Sequence, residues 1–196
     1  LQESVNSDAS DTKTQASETE QQSTQVSENA GDTETDSHKE QYDIPQKNLD
    51  WEELEAVNPD IYAWIYIPNT NIDYPVLQRS GDNDYYLEYN LDGSRGKPGC
   101  IYTEDLNSKE FTDYNTVIYG HNMKSGAMFR TLHDFEDKSF FDNNQYVYIY
   151  TKDRTLVYKI FAAYTNDAKH ILKSNDFTSE QGLSDYLEKV FKKAQA

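Results

Sequence analysis

Few side chains in this 196-residue chain can do proton-transfer or nucleophilic chemistry: it holds four histidines and one cysteine. His121 follows the dense apolar run Thr116-Val117-Ile118-Tyr119 directly after Gly120. A strand ending there projects the imidazole from its carboxyl end, a usual location for a general acid or base. The same spacing suits a histidine that merely closes a turn through its ring nitrogens. His38 lies in a polar acidic stretch, and His133 sits among polar neighbours on a segment that already has its apolar stripe. Cys100 is the one thiol; it follows Gly96-Lys97-Pro98-Gly99 and opens a strand, with its nearest bases, Arg95 and Lys97, in a loop. A small buried hydrophobe is the more frequent fate of such a cysteine than a nucleophile. The acids Asp82, Asp84, Glu104, Asp105 and Asp113 show no ligand periodicity and read as solvated.

The elements that must position these groups begin near Asp50. Asp50 with Glu53 forms an aspartate version of a capping box, and Trp51, Leu54, Val57 and Ile61 recur at helical spacing up to Asn58-Pro59. Ala63 to Ile67 and Ile72 to Leu77 are β-branched and aromatic runs separated by Pro68-Asn69-Thr70-Asn71, which predicts a hairpin. Asp82 is placed to cap a short turn carrying Tyr85, Tyr86 and Leu87. Cys100-Ile101-Tyr102 and Thr116 to Tyr119 predict two further strands, the second dense enough to be buried. Met128, Phe129, Leu132 and Phe135 form a helical stripe. Tyr146 to Tyr150 and Leu156 to Tyr164 predict another hairpin, and a Thr178/Ser179 cap opens a last amphipathic helix through Leu183, Tyr186, Leu187, Val190 and Phe191. The fold class is mainly β with short helices.

Composition excludes several functions. Acids outnumber bases 35 to 18, a formal charge of -17, which argues against nucleic acid as a partner, because phosphate binding needs clustered cations. No run approaches the roughly 20 apolar residues of a bilayer span. A single cysteine rules out an intrachain disulfide and a multi-cysteine zinc site, and no motif requires a metal or other cofactor. Charge is also unevenly spread. Residues 1–45 carry eleven acids and two bases, with no aromatic before Tyr42 and no apolar period. Such a segment cannot bury enough surface to offset its ordering entropy, so a disordered acidic tether, or a dispensable leader, is expected there, with a folded domain over 46–196.

Several ordered motifs together resemble the class B sortases. Asn115-Thr116-Val117-Ile118-Tyr119-Gly120-His121-Asn122-Met123 carries the likeness most strongly. Trp64 to Pro68, Ile72 to Gln78, Asp82 to Leu87, Gly99 to Tyr102, Tyr158 to Tyr164 and Asn175-Asp176-Phe177 follow in family order, so the resemblance covers about residues 50 to 196. It implies a sortase-type β-barrel, with about six of the family's eight strands present. It further implies a cysteine transpeptidase at the extracellular face of a Gram-positive cell membrane or in the cell wall. Such an enzyme cleaves a C-terminal sorting signal of secreted proteins and joins the threonine carbonyl to a peptidoglycan-precursor or pilin amine. A thiolate attacks, a histidine shuttles the proton, and an arginine stabilises the oxyanion.

By this resemblance His121 is the catalytic histidine, and Asn83, Leu87, Tyr119 and, in a lid segment, Ile171 beside His170 line the peptide groove. For Leu87 and Tyr119 ordinary core packing is the alternative. The family's nucleophile and arginine lie on strands that would follow Ala196, so the chain is expected to be truncated before them and inactive alone. Cys100 matches an earlier position usually held by a small residue. The membrane is expected as a partner only through an N-terminal anchor preceding Leu1. Two rivals stand beside this reading. One is an inactive module that binds sorting signals without cleaving them; the other is a wall hydrolase using His121 with Asp113 on a water.

Overall fold

The computed structural model describes residues 43–167 and 169–194. The tether expected over residues 1–45 therefore lies outside the described residues except at 43–45. Helix α1 (Trp51–Val57) starts where Asp50 Oδ1 accepts the Glu53 amide at 3.0 Å, as its sequence requires. Strands β1 (Ile61–Tyr66) and β2 (Asp73–Leu77) form the predicted hairpin, followed by the single turn of α2 (Tyr85–Glu88). Asp82 does not cap α2 with its side chain; only its carbonyl accepts the Tyr85 amide, at 3.4 Å. Next come β3 (Ile101–Thr103) and β4 (Ile118–Tyr119). A 3-10 helix over Phe129–Glu136 follows, then α3 (Lys138–Asn143), β5 (Tyr146–Tyr150) and β6 (Thr155–Lys159). Helices α4 (Ile171–Ser174) and α5 (Glu180–Ala194) complete the described part.

The six strands form one curled sheet in the order β4-β3-β2-β1-β5-β6, antiparallel throughout except for the parallel β2–β3 pair. This is a half-barrel, mainly β, as the sequence predicts. Side-chain alternation gives it two cores. Ala63, Ile65, Val76, Ile101 and Ile149 point to one face with Met128 and Phe135, while Ile61, Leu77, Tyr86, Cys100 and Tyr102 pack on the other. The pairing Val76↔Ile101 and Leu77↔Tyr102 keeps the two sets apart; a slip of one residue would exchange them.

Three expectations change. The run 116–119 yields only a two-residue strand, and both of its residues are half-buried rather than buried. Among the described residues β4 is the last strand on its side of the sheet, pairing only with β3. β6 ends at Lys159 instead of reaching Tyr164, and the helical stripe after Gly126 winds as a 3-10 helix. Met128 precedes that helix at φ 55, a left-handed backbone that tightens its entry.

Candidate functional site

β4 reaches its position through a buried polar lattice. The Gln78 amide nitrogen lies 3.0 Å from Thr103 Oγ1 and 2.9 Å from the carbonyls of both Glu104 and Asn107. Asn107 passes the support on: its Nδ2 donates to the Asn115 carbonyl at 2.8 Å and its Oδ1 accepts the Val117 amide at 3.0 Å. Buried polar groups of this kind are held to one arrangement because any loss leaves them unpaired. Asp113 belongs to the same lattice, accepting from Ser108 N at 2.7 Å and Asn107 Nδ2 at 3.1 Å. Its carboxylate is a structural acceptor, and the hydrolase reading loses its second acid.

At the end of β4 the chain needs Gly120 for closeness rather than for a turn. A Cβ there would strike Ile101 Cδ1 and come within 2.8 Å of the Phe129 ring. The following turn is clamped from both sides. The His121 carbonyl accepts the Phe129 amide at 2.9 Å, and Asn122 pairs with Met128. From the β1–β2 hairpin, Asn71 Nδ2 donates to the Gly126 carbonyl at 3.1 Å and the Tyr74 hydroxyl accepts the Met128 amide at 3.1 Å. His121 is thus fixed through its backbone, while its Nδ1 is enclosed and has no hydrogen-bond partner among the described residues. An enclosed ring nitrogen left unpaired costs stability and calls for a functional explanation.

Gly120 and Asn122, on either side of His121 in the chain, line a cleft of about 720 Å³ together with Phe129, Ile160 and Ala162. A second groove of about 460 Å³ runs from Ile118 of β4 to Val147, Tyr158 and the Leu183, Leu187 and Val190 stripe of α5. Together they line the gap between the two outer strands of the sheet.

Tyr119 precedes the glycine and stacks on Tyr102 with ring centres 5.4 Å apart. Burial, then the charge of Glu104, pushes its phenol up to about 12. Its ring centre is 6.3 Å from that of His170, the residue that caps α4. Ile171 follows on α4 and is half-buried. Asn83 faces the same corner, its Oδ1 accepting the Asp105 amide at 2.7 Å. The structure therefore brings Asn83, Tyr119 and the His170 cap of α4 around residues 104–105, with Tyr119 two residues before His121, whereas Ile171 lines a pocket with Tyr186 and Lys189 of α5. Leu87 is 43% exposed on α2, which excludes the core-packing alternative for it, but no contact joins it to that group. Tyr119 packs partly against the second core, as the core-packing alternative has it.

Cys100 is elsewhere. It is 5% exposed among Ile61, Leu77, Tyr86 and Tyr102, and its thiol lies 3.6 Å from the Tyr89 carbonyl. Burial, with the Asp92 charge second, pushes the thiol up to about 11. It is a core residue. His133 is spent on the surface between Asn122 and Glu136, at 2.8 and 2.7 Å. One assignment is overturned: Glu104, expected to be solvated, is 5% exposed and holds His170 Nε2 at 2.7 and 2.9 Å. Its sequence neighbours are loop-like acids, and only the fold shows that a histidine 66 positions away arrives to pair it. Among the described residues no cluster of His, Cys, Asp and Glu could hold a metal ion.

Known proteins match this arrangement. The Sortase domain family matches residues 65–189. Sortase B of Listeria monocytogenes is 39% identical over 139 residues, 70% of this chain. The X-ray structure of Clostridium perfringens sortase B aligns at a TM-score of 0.67 with 34% identity, covering 74% of this chain and 79% of that one. A Staphylococcus aureus sortase B–substrate complex aligns at 0.67 with 28% identity, covering 74% and 67%. The chain spans 56% of the Listeria protein's length and 59% of the Staphylococcus one's. With the domain match spanning well over half of its residues, and with class B enzymes as its relatives in sequence and in structure, this chain belongs to the sortase family, class B.

Proposed function

We propose that this chain is the histidine-bearing part of a cell-surface cysteine transpeptidase, which cleaves a C-terminal sorting signal of secreted proteins and joins the threonine carbonyl to a peptidoglycan-precursor or pilin amine. The observation that carries this reading is the unpartnered, enclosed Nδ1 of His121 on a rigidly clamped turn beside an open cleft. With Nδ1 enclosed and not taken up by a structural bond, Nε2 is the nitrogen proposed to give a proton to a leaving amine and take one from an incoming amine. The thiolate and the arginine of the reaction come from strands outside these 196 residues, filling the apolar gap between β4 and β6. Cys100 does not serve, being buried, raised in pKa and packed in the core that excludes His121.

In the proposed reaction the thiolate attacks the scissile carbonyl and the His121 imidazolium protonates the departing amine, leaving a thioester. The neutral imidazole then deprotonates the acceptor amine as it displaces the thiol. Asn83, Leu87, Tyr119 and Ile171 line the peptide groove. In this reading the domain works at the extracellular face of the cell membrane or in the cell wall. No helix among the described residues is long and apolar enough to cross a membrane.

The test is transfer of a peptide bearing an Asn-Pro-x-Thr signal by the protein in its full length. Cys100→Ala keeps the activity, thiol alkylation abolishes it, and His121→Ala lowers it by about 10²- to 10⁴-fold. Transfer that survives alkylation overturns the reading. An inactive signal-binding module is the second reading, favoured by one observation: the sequence's single thiol is a core residue. It predicts binding without cleavage in the full-length protein as well.

A further inference from the structure

Glu104 follows β3, its side chain is 7% exposed, and its carboxylate pairs with His170, both oxygens lying within 2.9 Å of Nε2. A buried carboxylate is tolerated only when paired. The other ring nitrogen is also engaged: His170 Nδ1 accepts the Lys173 amide at 3.2 Å and so caps α4. An Nδ1 that accepts leaves the proton on Nε2, where it is donated to Glu104, so the two bonds fix one tautomer and one ring orientation. The imidazole therefore joins two things with a single side chain. It starts the helix that carries Ile171, and it anchors that start beside Tyr119, whose ring centre is 6.3 Å away. At its far end α4 is held by Asn175, which donates to the Ile171 carbonyl at 3.0 Å and accepts from Lys189 of α5 at 3.3 Å.

We propose that Glu104 is a positioning residue: through His170 it latches α4 against the Tyr119 end of the sheet, and so sets where Ile171 stands over the groove. Opening α4 would strip the buried carboxylate of its partner, and this biases the segment towards the closed arrangement. The inference rests on the transpeptidase reading only for its effect on peptide capture; the latch itself is a property of this chain.

Three variants separate the roles. Glu104→Gln keeps the shape but removes the charge, His170→Asn keeps a helix cap but is too short to reach Glu104, and His170→Ala loses both. Amide exchange measured on this chain by NMR should speed up over residues 169–175 by roughly tenfold in Glu104→Gln and in His170→Asn, and further in His170→Ala, while β1 and β2 amides stay unchanged. The imidazole ¹⁵N spectrum of the unaltered chain should show His170 as the Nε2-protonated tautomer. In full-length protein, Glu104→Gln and His170→Asn should raise KM for the signal peptide about tenfold with kcat within about twofold. Exchange in His170→Asn equal to that of the unaltered chain means that only the cap matters, and overturns the latch. An unchanged KM in an active enzyme with faster exchange leaves the latch but overturns the positioning role. A full-length protein that transfers no peptide sinks the transpeptidase reading instead, and the exchange data still decide the latch.

Discussion

The turns that carry His121 and His170 stand at opposite ends of one contrast, on either side of Tyr119. His170 has every ring nitrogen committed, one to a buried carboxylate and one to a helix amide. His121 has its backbone committed and its enclosed Nδ1 free. Both side chains are held by the same sheet, and both cost entropy to order. The difference teaches how a fold can hold two imidazoles in different ways: at His170 the ring's hydrogen bonds are filled from within the chain, and at His121, the proposed proton carrier, the neighbouring backbone supplies the rigidity instead.

The largest effect that can break this contrast is on rate. His121→Ala should cost about 10²- to 10⁴-fold in transfer by full-length protein while leaving thermal stability nearly untouched, whereas His170→Ala should act on KM and on local exchange. Equal kcat losses from the two variants would erase the distinction.

Next in size is Gly120→Ala. The added methyl meets Ile101 and the Phe129 ring, which are packed and cannot both move, so stability should fall by about 1–3 kcal/mol in a denaturant titration. The contrast sharpens if the Lys173 amide keeps its protection in this variant, because the His170 turn does not lean on Gly120. An unchanged midpoint would show that the close approach is relieved at no cost.

The smallest effect lies in alkali. Burial first of all raises the phenols of Tyr62, Tyr102, Tyr119, Tyr150 and Tyr186 from an ordinary value of 10.0 to about 12. A folded-state value above the unfolded one means that the native chain holds its protons more tightly. The resulting stability is full below pH 10 and is lost as pH rises from 10 towards 12. Tyr119 ionising beside Glu104 adds a second negative charge at the latch, so residues 169–175 should lose protection before β1 and β2 do. Simultaneous loss everywhere would count against a separate latch.

Much of this was legible in the sequence, for physical reasons that differ by residue. Asp50 reads as a cap because capping is a three-residue event, and the hairpin over 61–77 reads from its alternation and its turn residues. His121 at a strand end is equally local. Glu104 is not legible, because its burial depends on a partner that arrives with α4, and neither is the two-residue extent of β4, whose run of apolar residues reads as longer. Gly120 illustrates the middle case: its presence before the histidine signals a constraint, but only packing shows that the constraint is a side chain's approach and not a left-handed backbone. Asn83, Tyr119 and His170 come from three separate segments, and their meeting around Glu104 and Asp105 is a property of the tertiary fold.

That order has a consequence for how the chain acquires its structure in time. β1 takes β2 as a partner a few residues later, yet its other edge waits for Tyr148, Ile149 and Tyr150. β3 can dock only after the crossover from Leu77 to Ile101 has closed, and β4 only after β3. Long-range pairings of this kind form slowly, since loop closure must precede the contacts that reward it. As the polypeptide emerges amino end first, Trp64 to Tyr66 present unpaired amides and carbonyls until the fifth strand appears, and the turn bearing His121 is set among the last events on its side. The His121 turn is therefore assembled late, on a frame that has already become rigid.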